Sequence, residues 1–401
     1  MKSARESFTA SAFHIEPAEV MKSLPTQFFA ALVQKVNQEI SAGHDVINLG
    51  QGNPDTKTPD YIVESLQSAS ANPLYHKYSP FRGYSFLKEA IVHRYKEDYG
   101  VELDAEKEVA ILFGGKSGLV ELPQVLLNPG DGCLVPDPGY PDYWSGIALA
   151  RAEMVGMPLL ESNDFLPDYN EIPSPQVQKA KLMFLNYPNN PTAVTAPLSF
   201  YQDTVEFAAQ HNIVVASDFA YGAIGFDGKR PVSFLQTPGA KEVGIEFYTL
   251  SKSYNMAGWR VGFALGNREV ISLINLLQDH MYVSLFGGIQ AAAATALTSS
   301  QDSVNKLVHR YESRRNALFS ELDQIGWKAN RPSGSFFSWL PVPAGYSSDS
   351  FADLLLREAK VAVAPGVGFG RHGEGYVRVG LLSDEERLRE AVQRIGRLNL
   401  F

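Results

Sequence analysis

The chain has 401 residues, 45% hydrophobic and 20% charged, with a formal net charge of −9. That length exceeds the ~250–300 residues at which a single hydrophobic core stops growing, so a large domain and a smaller companion are expected. The composition excludes a disordered or fibrous chain, and the acidic balance leaves no basic field to gather nucleic acid or an anionic membrane.

In chain order, Met1 to Pro25 is broken by polar residues and lacks the apolar core of a secretory signal. The first 15 residues, small and polar, are expected to form a flexible arm. Leu24 to Ser41 is predicted as a helix and Val46 to Leu49 as a short strand entering the turn Gly50-Gln51-Gly52-Asn53-Pro54. The centre alternates strands and amphipathic helices. Strands are predicted at Val109–Phe113, Gly132–Val135, Lys181–Leu185 and Ile213–Ala216, with helices running to Leu127 and over Ser199–His211. Such alternation gives an α/β sheet that is mostly parallel. Glu246–Leu250 and Val261–Leu265 follow, joined by too short a connection for a parallel crossover, so an antiparallel pair is expected.

After Gly287 a helical region extends to Ile325, and Ala291–Leu297 within it, far below the ~20 residues of a membrane helix, reads as an interior segment. Gly334–Leu340, Ala352–Glu358, Val361–Ala364 and Tyr376–Leu381 complete an α+β tail. The single cysteine, Cys133, cannot close an internal disulfide and reads as a small buried apolar residue. A cytoplasmic protein is expected, with no membrane, nucleic-acid or metal partner.

Five segments carry candidate chemistry. In Thr249-Leu250-Ser251-Lys252-Ser253-Tyr254-Asn255-Met256-Ala257-Gly258-Trp259-Arg260, a lysine just past a strand end can project into a cleft. Desolvation there makes its amine nucleophilic, and Arg260 could return to the same cleft to grip a phosphate. Taken alone, a surface lysine and a structural arginine are the more ordinary reading. Phe113-Gly114-Gly115-Lys116-Ser117 stands between a strand and a helix, where glycines let backbone N–H groups approach a phosphate, or simply make a turn.

Asn186-Tyr187-Pro188-Asn189-Asn190-Pro191-Thr192 and Ser217-Asp218-Phe219-Ala220-Tyr221 each follow a strand. An acid so placed could hold a pyridinium proton, and Asn or Tyr could bond a phenolate oxygen; a turn and a helix cap are the alternatives. Arg378, in Tyr376-Val377-Arg378-Val379-Gly380, is a charge within an apolar strand. It must face either an internal acid or a carboxylate ligand.

In order and interval these segments resemble the class I and II aminotransferases of fold type I, which bind pyridoxal 5'-phosphate (PLP). The resemblance implies a large domain over 54–290 with a mostly parallel seven-stranded sheet, and a smaller α+β domain from 16–53 and 291–401. It implies that Lys252 holds the cofactor as a Schiff base, Asp218 pairs with the pyridine nitrogen, and Asn190 and Tyr221 bond the phenolic oxygen. Thr249, Arg260 and the backbone at Gly115 and Lys116 would cup the phosphate, and Tyr140 would stack on the ring. Arg378 would clamp the substrate carboxylate, the backbone at Gly52 would close over it, and Phe29 would act as a lid beside the side chain. Tyr78 would reach the phosphate of a neighbouring subunit, implying a homodimer with shared sites.

The runs Leu-Gly-Gln-Gly-Asn-Pro-Asp and Gly-Glu-Gly-Tyr-Val-Arg-Val-Gly-Leu-Leu are similar to the methionine-salvage branch of that family. That branch implies transfer of an amino group, typically from glutamine, to 4-methylthio-2-oxobutanoate. Aspartate, aromatic or LL-diaminopimelate specificity, and a PLP-dependent carbon–sulfur β-lyase, are the alternatives. A PLP-binding regulator would need a DNA-binding domain, for which the N-terminal arm leaves no room. No Lys or Arg lies between Arg268 and Lys306, so a second substrate carboxylate would lack the arginine that dicarboxylate-specific members bring from that segment. Two departures stand out: Ala193 where glycine is usual, and Gly287-Gly288 where bulkier residues are usual.

Overall fold

The computed structural model describes residues 15–25 and 28–401. The expected arm over 1–15 lies outside them except for Ile15. The first long helix is Phe28–Ser41, shorter than the predicted Leu24–Ser41, because Pro25 disfavours helical backbone at Leu24. β1, Ile47–Asn48, is the predicted short strand reduced to two residues.

The central strands are β2 (Val109–Leu112), β3 (Gly132–Asp137), β4 (Glu153–Pro158), β5 (Ala180–Asn186), β6 (Val214–Asp218), β7 (Gly244–Thr249) and β8 (Gly262–Gly266). They form one seven-stranded sheet in the order β2-β8-β7-β6-β5-β3-β4. Neighbours from β7 to β4 pair in parallel, and β8 alone runs against its neighbours β7 and β2, as the short β7–β8 connection requires. The seventh strand, β4, was not among the predicted ones. It lies at the sheet edge with only Val155 and Met157 buried, and Gly156 and Pro158 dilute its apolar signal. Interior strands such as β5 read clearly because helices cover both faces and nearly every side chain is buried.

The helical region after Gly287 is two helices, Gly287–Thr298 and Asp302–Ile325. The expected division between residues 290 and 291 would cut the first of them. Its Ala292, Ala293, Ala296 and Leu297 pack in the core of the large sheet, so this helix stays with that layer. Gly287 permits a close approach: a Cβ there would collide with the Tyr75 ring.

β9 (Phe337–Pro341), β10 (Val361–Ala362), β11 (Ala364–Pro365) and β12 (Tyr376–Gly380) build the smaller unit. The predicted strand Val361–Ala364 splits: β10 pairs with β1, while β11 joins the antiparallel sheet β11-β12-β9. The predicted helix Ala352–Glu358 is Ser348–Leu354 continued by a wide turn over Leu355–Ala359. Trp327, Phe336, Phe351 and Leu388 fill a core distinct from that of the large sheet. Among the described residues no helix is long and apolar enough to cross a membrane.

Candidate active site

β2, β3, β5, β6 and β7 end on the same edge of the large sheet, where an α/β fold presents its ligand crevice. A cavity of about 640 Å³ opens there, walled on its far side by Arg378 and Phe337 of the small sheet and by Phe28 and Phe29 of the first long helix. Gly52, Gly115, Lys116, Tyr140, Asn190, Asp218, Tyr221, Thr249, Lys252 and Arg260 all line it, so the sequence motifs converge. Tyr78 does not: it is 89% exposed and outside the lining.

Lys252 follows β7 on a single helical turn, Leu250–Ser253, capped by the Thr249 hydroxyl. Its ammonium donates to Gly52 O at 3.1 Å. Burial, with Arg378 and Arg260 nearby, draws this amine down to about 8. Asp218 ends β6, and burial pushes its carboxyl up to about 6, opposed by a 2.7 Å hydrogen bond from the Tyr143 hydroxyl. Tyr143 was not singled out in the sequence, although it lies one helical turn after Tyr140; its ring stacks on Phe184. Asn186 was also missed: its amide donates to Asp218 O, and its carbonyl accepts from Asn190 N.

At the opposite end, Gly114 adopts φ +81, and the helix Gly115–Leu126 starts from it with its N-terminus toward the cavity. A Cβ on Gly114 would overlap the Arg260 guanidinium. Arg260 donates only to the carbonyls of Ala257 and Phe113, at 2.9 and 3.4 Å, and ion-pairs with no acid among the described residues. Ser251, unremarked in the sequence reading, lines the same end and accepts from Thr249 at 2.9 Å. The Lys116 side chain is committed to Asp142 at 2.9 Å, leaving its backbone for a ligand.

Arg378 is fully buried. It donates to Asn190 Oδ1 at 2.8 Å and to Gly50 O at 2.9 Å, while its Nε has no partner. No acid among the described residues pairs with it, which removes the internal-partner alternative. Burial lowers the guanidinium to about 10, so it stays charged at neutral pH. The rings of Phe337, Phe369 and Phe29 surround it at 4.0, 4.7 and 5.2 Å, a box that fixes a planar cation without neutralising it.

The family model for aminotransferase class I and II matches residues 44–395. The chain belongs to this family. It is 63% identical over 386 residues to the L-glutamine–4-(methylsulfanyl)-2-oxobutanoate aminotransferase of Bacillus subtilis (strain 168), covering 96% of this chain and 97% of that one. Transaminase BacF of the same organism is 50% identical, and its substrate-bound structure superposes with a TM-score of 0.92 over 96% of this chain and 98% of that one. A Thermus thermophilus aspartate aminotransferase double mutant is 28% identical with a TM-score of 0.89, over 96% of this chain and all of that one.

This aminotransferase uses PLP, and its cavity suits that cofactor. A helix N-terminus, two hydroxyls and an arginine without an acid make a dianion site at one end. At the other, a buried carboxylate and a partly buried amine suit a ring nitrogen and an aldehyde carbon. Gly262 supports the Gly114–Gly115 turn from behind: a Cβ there would stand 2.8 Å from Gly114 C and Gly115 N. Gly262→Ala is therefore expected to shift that turn, at a cost of about 1–3 kcal/mol, and to weaken cofactor affinity roughly tenfold or more. Titration of apoenzyme with PLP, followed by visible absorbance, measures it; parent-like affinity would show that the turn plays no part in binding.

Proposed function

We propose that this aminotransferase passes the amino group of glutamine to 4-methylthio-2-oxobutanoate, forming methionine. The observation that carries the reading is Arg378, buried and charged without an acid, across one cavity from Lys252 and Asp218. A substrate α-carboxylate supplies the missing anion by paired hydrogen bonds, and the aromatic box orients it. The named reaction of the 63% identical relative supplies the substrate pair. Phe28, Phe29 and Phe337 offer apolar surface to a thioether chain, and the absence of Lys and Arg between Arg268 and Lys306 disfavours a dicarboxylate.

When bound, PLP supplies an electrophilic carbon for the amino group and a protonated ring that draws electron density from the substrate Cα. Asp218, positioned by Tyr143 and Asn186, keeps the proton on the ring nitrogen. Lys252 Nζ removes the Cα proton of the donor and returns one to the acceptor Cα in the reverse half-reaction. Asn190 and Tyr221 would hold the phenolic oxygen, and Tyr140 would cover the ring face. Thr249, Ser251, Arg260 and the backbone at Gly115 and Lys116 would hold the phosphate. Closure of the smaller unit, with Phe29 and Gly52 moving over the substrate, excludes water.

The working form in this reading is a cytoplasmic homodimer, in which Tyr78 of one protomer reaches the phosphate of the other. Exposed Leu74, Tyr78 and Phe81 form an apolar edge suited to a second copy.

Initial rates with 4-methylthio-2-oxobutanoate and a donor panel test the substrate assignment. Glutamine is expected to lead, with aspartate and glutamate poor; aspartate as best donor by a wide margin would sink the specificity argument. Pyruvate and ammonia released from a β-thio amino acid would instead indicate a lyase.

Cofactor capture gives a pH test. Only the neutral amine attacks the aldehyde, so the capture rate by apoenzyme rises with pH and levels off above about 8. A rate still climbing toward 10.5, the value of an ordinary lysine, would contradict the burial of Lys252.

A further inference from the structure

A second cavity, of about 440 Å³, lies beyond the Asn190 loop and shares none of its lining with the first. Its size falls within the range of small-molecule sites. One wall is Thr192–Val194, the continuation of the loop that bonds Arg378; another is Trp339, which sits directly across from Arg378 in the β9–β12 register. The third comes from the segment Lys328–Ser333, so both units of the fold contribute.

Most charged groups around this cavity are already satisfied. Glu161 accepts from the Tyr376 hydroxyl at 2.9 Å and from Asn330 at 3.1 Å, and Arg331 pairs with Asp323 at 3.0 Å. Two are left. Lys328 and Asp164 line the cavity, and neither side chain has an ion-pair or hydrogen-bond partner among the described residues. The apolar floor is Phe165, Val194 and the indole of Trp339, which stacks on Tyr376 at 5.2 Å. Trp339 is only 5% exposed, and it offers the cavity ring surface rather than its Nε1–H, which is closed to solvent.

We infer that this cavity is a second, non-catalytic binding site for a small zwitterionic amino acid. Lys328 meets the carboxylate, Asp164 the ammonium, and the aromatic floor a short side chain. One free charge of each sign selects against ligands with a single net charge, because either would leave one group without a partner while repelling the other. The site is independent of the transamination reading, since none of these residues faces Lys252 or Asp218.

The test uses holoenzyme reduced with borohydride, in which the cofactor is fixed and cannot exchange amino groups. Methionine is titrated by calorimetry, with 3-methylthiopropylamine and 4-methylthiobutanoate as singly charged controls. Methionine is expected to bind more tightly than either control. Lys328→Gln and Asp164→Asn should each weaken binding about fivefold or more. Both charge variants sit at exposed positions and should keep the parental transamination rate and cofactor absorbance, which separates loss of this site from loss of fold or of catalysis. Absence of binding up to roughly 10 mM, or binding unchanged by both charge substitutions, overturns the inference.

Discussion

Transamination is expected to fall roughly 10⁴-fold or more in Lys252→Ala, the range set by loss of a general acid–base group that is also the nucleophile. No other group in the cavity can replace it. Lys116 is drawn to Asp142, and Arg260 and Arg378 remain protonated donors unsuited to removing a proton. Of the other titratable groups, Asp142 is held by Lys116, burial keeps the Tyr140 and Tyr221 hydroxyls protonated, and the hydrogen bond from Tyr143 holds Asp218 at the end of β6. The phosphate end is untouched by the substitution, so PLP should still bind while the borohydride-bleachable absorbance of the parent disappears. A variant that turns over like the parent, or that keeps that absorbance, would remove Lys252 from the chemistry.

The second large effect is expected for Arg378→Lys. A lysine keeps the charge but replaces a planar fork with a compact, shorter-reaching ammonium, whose three donors radiate from one atom and cannot pair in parallel with a carboxylate while also holding Asn190 and Gly50. Loss of a buried, hydrogen-bonded charge contact costs about 2–5 kcal/mol, so kcat/KM for donor and acceptor alike should drop on the order of a hundredfold. Cofactor absorbance should be unchanged. Turnover of an amine lacking the carboxylate should also be unchanged, because that substrate never engages the arginine. Equal losses for amine and amino acid would mean that Arg378 acts through the fold rather than on the substrate.

The parts of the site that were legible in the sequence are those where one short segment concentrates unusual chemistry. Lys252 and Arg260 bracket a Gly-Trp turn, and Asp218 and Asn190 each end a buried apolar run whose strand character is plain. Arg378 announced itself by interrupting such a run, though only the structure removed the acid partner from contention. Tyr143 and Asn186 were not legible, because each acts through Asp218, distant in sequence, and a tyrosine on a helix reads equally as core; Ser251 stood inside the Lys252 segment, where a serine hydroxyl has no signal of its own. The same holds for Phe337 and Phe369 around Arg378, and for the partnerless N–H of Trp339. Edge strand β4 was lost to its glycine and proline, and the β10–β11 break to a continuous apolar run with no punctuation before Pro365.

The reversal between β7 and β8 has a consequence for how this scaffold can vary. Lys252 and Arg260 lie on that single connection, anchored at both ends by adjacent antiparallel strands. The connection works as a ruler whose length matches one molecule. Insertions elsewhere on the sheet edge would merely reshape a rim, whereas one residue added between Ser253 and Trp259 would change the gauge itself. The amine and the guanidinium would then no longer span the same ligand.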